Sequence, residues 1–101
     1  MKASSMTAVI GGKRYNTETA TEIASDCYWD GHNFERRGRN TFLFKTKNGN
    51  YFVQHLTQWQ GERDRLEPVT QDEAVSLWET SLTEHSVEFE TAFPGVAVSE
   101  A

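Results

Sequence analysis

The chain has no lysine or arginine after Arg65, although eight carboxylates follow it: Glu67, Asp72, Glu73, Glu79, Glu84, Glu88, Glu90 and Glu100. Residues 1 to 65 therefore carry a formal +3 and residues 66 to 101 a formal −8, an asymmetry that points to a charged partner. Cysteine is almost as scarce. Cys27 stands alone, so no internal disulfide is available, which argues against a small secreted scaffold and for the reducing cytoplasm. Long apolar runs are missing too. The start MKASSMTAVIGG holds no apolar stretch of about 7–15 residues with a cleavage site, so neither a signal peptide nor a membrane span is expected. The hydrophobic fraction is only 37%, but twelve aromatic residues offset it, enough for one modest core in 101 residues.

The expected organisation is one domain over residues 7–93, with loose tails at 1–6 and 94–101. Gly11-Gly12 between Ala8-Val9-Ile10 and Lys13-Arg14-Tyr15 predicts a β-hairpin with a two-residue turn. Asn16 then suits an N-cap, Glu18 suits the first turn, and Ala20, Ile23 and Ala24 have the i, i+3, i+4 spacing of a buried stripe. That segment predicts a helix of about two turns. Residues 26–40 (DCYWDGHNFERRGRN) show no period and read as a long connection.

Asn48-Gly49, between TFLFKTK and NYFVQHL, is the strongest local signal and predicts a second hairpin. A two-residue turn there sets Phe44 opposite Val53 and Thr46 opposite Tyr51, which gathers Phe42, Phe44, Tyr51 and Val53 on the face that meets the helices. Leu43, Lys45, Lys47, Phe52, Gln54 and Leu56 fall on the other face. Thr70 and Glu73 have capping-box spacing, and Ala74, Leu77, Trp78, Ser81 and Leu82 continue as a buried helical stripe. A break is expected near Thr83, which would cap a further helix ending at Pro94-Gly95. The fold class is α+β: an antiparallel sheet of two hairpins, a short helix after the first, and one or two C-terminal helices packed on one sheet face.

Chemistry-bearing motifs are sparse. Asp26, Cys27, Asp30 and His32 crowd seven residues without a second cysteine or a histidine pair to complete a tetrahedral metal site. Cys27 with His32, His55 or His85 is the one nucleophile-and-base combination, and a lone cysteine is more often an inert small hydrophobe. No cofactor, metal or catalytic residue is assigned, and the chain does not read as an enzyme. Two surfaces compete as binding sites. The first combines Asp72, Glu73, Glu79, Glu84 and Glu88, which repel phosphate and attract Lys- and Arg-lined channels, with Tyr28, Trp29, Phe34 and Trp59 as aromatic anchors for a protein partner. The second is Arg36, Arg37 and Arg39 with Lys45 and Lys47, a basic and aromatic mixture suited to nucleic acid. A net charge of −5 disfavours direct nucleic-acid binding. Oligomeric state stays open.

Three segments carry a resemblance. Ile10-Gly11-Gly12-Lys13-Arg14-Tyr15-Asn16-Thr17-Glu18-Thr19-Ala20 resembles the opening of a family of small uncharacterised proteins from phages and mobile elements, whose pattern is close to I-N-G-K-R-Y-D-T-E-T-A. Phe42 to Phe52 resembles that family's L-Y-R-T-K-K-G-x-Y-F hairpin, and Leu66 to Ala74 its I-x-P-L-S/T-x-E-E-A helix start. The chain departs from the pattern between Tyr28 and Arg39 and after Leu82. The resemblance brings no catalytic signature. It implies a mobile-element setting, in which small acidic proteins resemble anti-CRISPR and other anti-defence inhibitors that occupy a nucleic-acid site on an effector complex.

Overall fold

A computed structural model describes residues 3–26 and 39–100. The chain opens as a hairpin of β1 (Thr7–Ile10) and β2 (Lys13–Asn16), with Ile10 opposite Lys13. Gly11 and Gly12 sit at φ 60° and 78°, the two positive values a type I′ turn requires. Five further strands follow: β3 (Thr21–Ser25), β4 (Arg39–Lys45), β5 (Tyr51–Thr57), β6 (Arg65–Val69) and, after helix α1 (Gln71–Thr80), β7 (Glu84–His85). They form one antiparallel sheet in the order β6-β5-β4-β3-β7. Helix α2 (Phe89–Ala92) closes the domain, which is α+β as the sequence predicts.

Residues 16–25 do not form the expected helix. The Asn16 side chain accepts from the Glu18 amide at 2.9 Å, but the turn it starts ends at Ala20 and the chain continues as β3. A bulge between Glu22 and Ala24 explains why the sequence misleads. Ile23 and Ala24, though adjacent, both enter the core on the helix side of the sheet, whereas Ala20 packs against the core on the other side. The apparent helical stripe is thus divided between two cores, and β4 supplies the backbone partners that a second helical turn would otherwise provide.

The β4–β5 register differs from the expected one by a single residue. Gly49 donates its amide to the Thr46 carbonyl at 3.0 Å, and the Thr46 amide donates to the Asn50 carbonyl at 2.8 Å. The loop is therefore the three residues Lys47-Asn48-Gly49, a type I turn with glycine at φ 85° in the bulge position. Phe44 pairs with Phe52 and Leu43 with Val53. One residue of slip turns β4 over relative to β5, exchanging the sides of Phe42, Leu43 and Phe44 while Tyr51, Phe52 and Val53 keep the sides expected. Leu43, Tyr51 and Val53 meet the helices, while Phe42, Phe44, Phe52 and Leu56 lie on the opposite side under the β1–β2 hairpin with Tyr15 and Leu66.

The sheet is consequently covered on both faces. On the hairpin side Phe44 and Phe52 stack at 5.2 Å and Tyr15 meets Phe52 edge-on at 5.4 Å. Residues 3–6, expected as part of a loose tail, run beside this layer: Ser4 exchanges hydrogen bonds with the Gln54 side chain (3.2 and 2.8 Å), which satisfies that fully buried amide. On the helix side Trp78 meets Phe93 edge-on at 5.7 Å, and the Tyr51 hydroxyl donates to the Ala92 carbonyl at 2.7 Å, tying β5 to the end of α2.

Thr70 caps α1 as its spacing predicts. Its hydroxyl accepts from the Glu73 amide at 3.1 Å, and the Glu73 carboxylate accepts from the Thr70 amide at 3.0 Å. Thr70→Ala is expected to cost about 1 kcal/mol and to lower the melting temperature by about 4–8 °C, while Glu73→Gln keeps an acceptor in place and stays near wild type; thermal denaturation of both variants checks this.

The break after α1 is real but differs in detail. Thr83 caps nothing; Glu84 and His85 pair with Ser25 and Ala24 as β7, and α2 begins only at Phe89 with Glu88 at its N-cap. A strand replaces the predicted first turn because the outer edge of β3 offers unpaired backbone groups beside it.

Candidate functional site

Along α1 each residue advances by about 100°, so Asp72 and Glu79, seven apart, share a water-facing stripe opposite the buried Ala74 and Trp78. Glu73 lies off that stripe and is held in the cap. Glu84 stands on β7 at the edge of the sheet, Glu88 at the α2 N-cap and Glu90 in its first turn. All six carboxylates are exposed. None of the ion pairs among the described residues includes any of them, and Lys45 reaches the region with its Nζ 3.5 Å from the Thr91 carbonyl.

Between α1 and α2 this surface holds an open depression of about 510 Å³, lined by Trp78, His85, Val87, Glu88, Phe89 and Glu90 among others. The His85 ring stacks on Trp78 with centroids 3.7 Å apart, and its Nε2 donates to the Trp78 carbonyl at 3.0 Å, because a carbonyl oxygen can only accept. A flat aromatic platform is thereby fixed among carboxylates, which suits the planar guanidinium of a partner arginine.

Glu22, beneath β7, accepts from the Ser86 hydroxyl at 3.3 Å. Burial raises its carboxyl above the ordinary value and outweighs the smaller lowering by Ser86. Between the ordinary and the raised value the folded state binds more protons than the unfolded state, so this group's contribution to stability falls as pH rises through that window. Glu22→Gln is expected to raise the melting temperature near pH 7 and to change it less near pH 4, where the native carboxyl gains its proton; melting curves at both values check the sign.

The helix-side face of the sheet is different at the far end of the strands. Cross-strand pairing sets Leu43, Val53 and Glu67 in one row and Thr41, His55 and Arg65 in the next, with Arg39 beside Thr57 beyond them. Over the first rows lies a cleft of about 500 Å³, with Val53, Val69, Leu77 and Leu82 on its apolar side and Asp26, Glu67 and Glu73 as carboxylates. A groove of about 420 Å³ adjoins it, sharing Thr41 and His55, and is lined by Arg39, Arg63 and Arg65. Glu67 links the two: it accepts from His55 Nε2 at 2.9 Å and from Arg65 at 3.3 Å, and these bonds, His55 first, hold its carboxyl below the ordinary value. Arg39 forms a two-pronged pair with Glu62, which depresses the Glu62 carboxyl, and its guanidinium lies 5.6 Å from the centre of the Trp59 ring.

The candidates from sequence separate accordingly. Asp72, Glu79, Glu84 and Glu88 belong to the exposed α1–β7–α2 region, and Glu73 turns towards the cleft. Trp59 is 52% exposed but stands beyond β5 with Arg39, whereas α2 meets the strands at Tyr51 and Lys45. Trp59 is therefore not an anchor within the acidic region. Arg39 and Lys45, at opposite ends of β4, are about 20 Å apart at the strand's rise per residue, and Lys47 lies further out in the loop. Of the basic set expected from sequence, Arg39 therefore does not share a patch with Lys45 and Lys47. Tyr28, Trp29, Phe34, Arg36 and Arg37, like Cys27, lie outside the described residues.

Sequence reasoning missed Arg63 and Arg65, and it named His55 and His85 only as bases for Cys27; the pairing of β6 with β5 sets Arg65 beside His55, and β7 positions His85. Pro68 fits in β6 because β6 is an edge strand, where a missing N–H is tolerated. Among the described residues no group of three His, Cys, Asp or Glu side chains could hold a metal ion, and no helix is long and apolar enough to cross a membrane. No protein-family model, curated protein or solved structure matches the chain.

Proposed function

We propose that the protein is an anti-defence inhibitor of the phage or mobile-element type, which binds a CRISPR effector complex in the host cytoplasm and covers a basic nucleic-acid-binding surface. The observation that carries this reading is the exposure of Asp72, Glu79, Glu84, Glu88 and Glu90 without ion pairing to any described residue, on a stretch of chain without a single cation. Such carboxylates stay solvated, and their field repels phosphate while drawing in Lys- and Arg-lined grooves. The sequence resemblance at residues 10–20, 42–52 and 66–74 supports the setting.

The mechanism is steric and electrostatic. The acidic region steers the protein to the groove, and the platform of His85 on Trp78 receives a planar cationic side chain at the contact. No bond is made or broken. The rival reading, a nucleic-acid-binding accessory protein, loses support from the separation of Arg39 from Lys45 and Lys47 along β4. The test is DNA binding by a purified type I CRISPR effector complex with and without the protein, together with a control for the protein on DNA alone. Loss of effector binding without a direct shift is the expected result; a direct shift of the DNA favours the rival, and no effect on the effector removes it as the target.

A further inference from the structure

We infer that the groove lined by Arg39, Arg63 and Arg65 is a binding site for a small phosphate-bearing ligand, separate from the acidic surface and independent of the reading proposed for it. The site is assembled from three places in the chain. Arg39 opens β4 opposite Thr57, Arg65 opens β6 opposite His55, and Arg63 lies in the turn that Asp64 fastens to the Thr57 amide at 2.8 Å. Strands β4 and β6 flank β5, so their backbones are about 10 Å apart. Arginines from both sides are long enough to converge over β5 on one phosphate.

The donors outnumber what the described residues consume. A guanidinium presents five N–H groups in a planar fork; Glu62 engages two from Arg39 and Glu67 one from Arg65, while Arg63 forms no hydrogen bond or ion pair with a described residue. Thr41, His55 and Thr57 add polar groups along the floor. This donor-rich lining matches the oxygens of a phosphate, which arginine binds two bonds at a time. The volume of about 420 Å³ is that of a small-molecule site. Size and charge choose the ligand: Glu62, Asp64 and Glu67 offset the three arginines locally and the whole chain carries −5, so a long polyanion is repelled whereas a compact phosphate makes short-range forked bonds.

The experiment titrates the 15N-labelled full chain with ATP, with pyrophosphate and with an eight-residue thymidine oligonucleotide, following amide shifts by NMR. Saturable shifts centred on Thr41, His55, Thr57, Arg63 and Arg65 are expected with ATP or pyrophosphate, at least about tenfold weaker in Arg63→Ala/Arg65→Ala, and unaltered in Lys47→Ala. Both arginines are exposed, so the double variant should keep its fold, and its own spectrum verifies this. No saturation with ATP or pyrophosphate, or equal affinity in the double variant, overturns the site. Tighter binding of the oligonucleotide than of either small phosphate overturns the assignment to a small ligand and gives the groove to nucleic acid.

Discussion

Replacing Glu79, Glu84 and Glu88 together by lysine is expected to abolish inhibition, weakening binding to the effector by about 100-fold or more, since attraction to a basic groove becomes repulsion worth several kcal/mol. The three positions are chosen from the structure. Glu79 lies in the last turn of α1, where a lysine complements the helix dipole; Glu84 stands on the outer strand; and Glu88 occupies the α2 N-cap without a side-chain cap bond. All three are exposed and lie outside every ion pair among the described residues, so the melting temperature should change little. Asp72 and Glu73 are left alone because they serve the positive end of α1, Glu73 through the capping box. Affinity measured for wild type and variant across a salt series checks the claim. Wild-type binding should weaken with salt, and unchanged affinity in the triple variant would refute the electrostatic contact.

The largest stability effect is expected at Phe52. Its ring is fully buried on the hairpin side, stacked on Phe44 and met edge-on by Tyr15. Phe52→Ala removes the group on which the β1–β2 hairpin rests and leaves a cavity in the middle strands of the sheet, a loss of about 3–5 kcal/mol. Against a total of about 5–15 kcal/mol for a domain of this kind, that lowers the melting temperature by more than about 12 °C. The expected register predicts otherwise, grouping Phe52 with Leu43, Lys45 and Lys47 on the face away from Phe44, where truncation would cost far less. Calorimetry of Phe52→Ala therefore tests the three-residue Lys47-Asn48-Gly49 loop as well as the packing.

What the sequence revealed was local chemistry. Thr70 and Glu73 announce a helix start through bonds made within one turn, and Gly11-Gly12 announces a hairpin through backbone freedom, so both were legible. Asn48-Gly49 announced a hairpin but not its length, because the same dipeptide suits a two-residue turn and the last two positions of a three-residue one. β3, β6 and β7 were missed for a common reason. Each is short or contains an unfavourable residue, and each is stabilised by a neighbour distant in sequence that no local pattern reveals.

The candidate surfaces divide along the same line. The acidic stretch was visible because it is a property of composition. The arginine groove was not, because Arg39 and Arg65 become neighbours of β5 only after register and strand order are settled. The same topology dissolved the expected pairing of Arg39 with Lys45, which counting charges along the chain had grouped together.

The most direct measurement compares binding of the protein to an effector complex free of DNA with binding to the same complex already loaded with target DNA, by surface-immobilised kinetics. Occlusion of a basic nucleic-acid site predicts tight binding to the free complex and little or none to the loaded one. Equal binding to both would contradict competition for that site and remove the acidic α1–β7–α2 surface as a stand-in for nucleic acid.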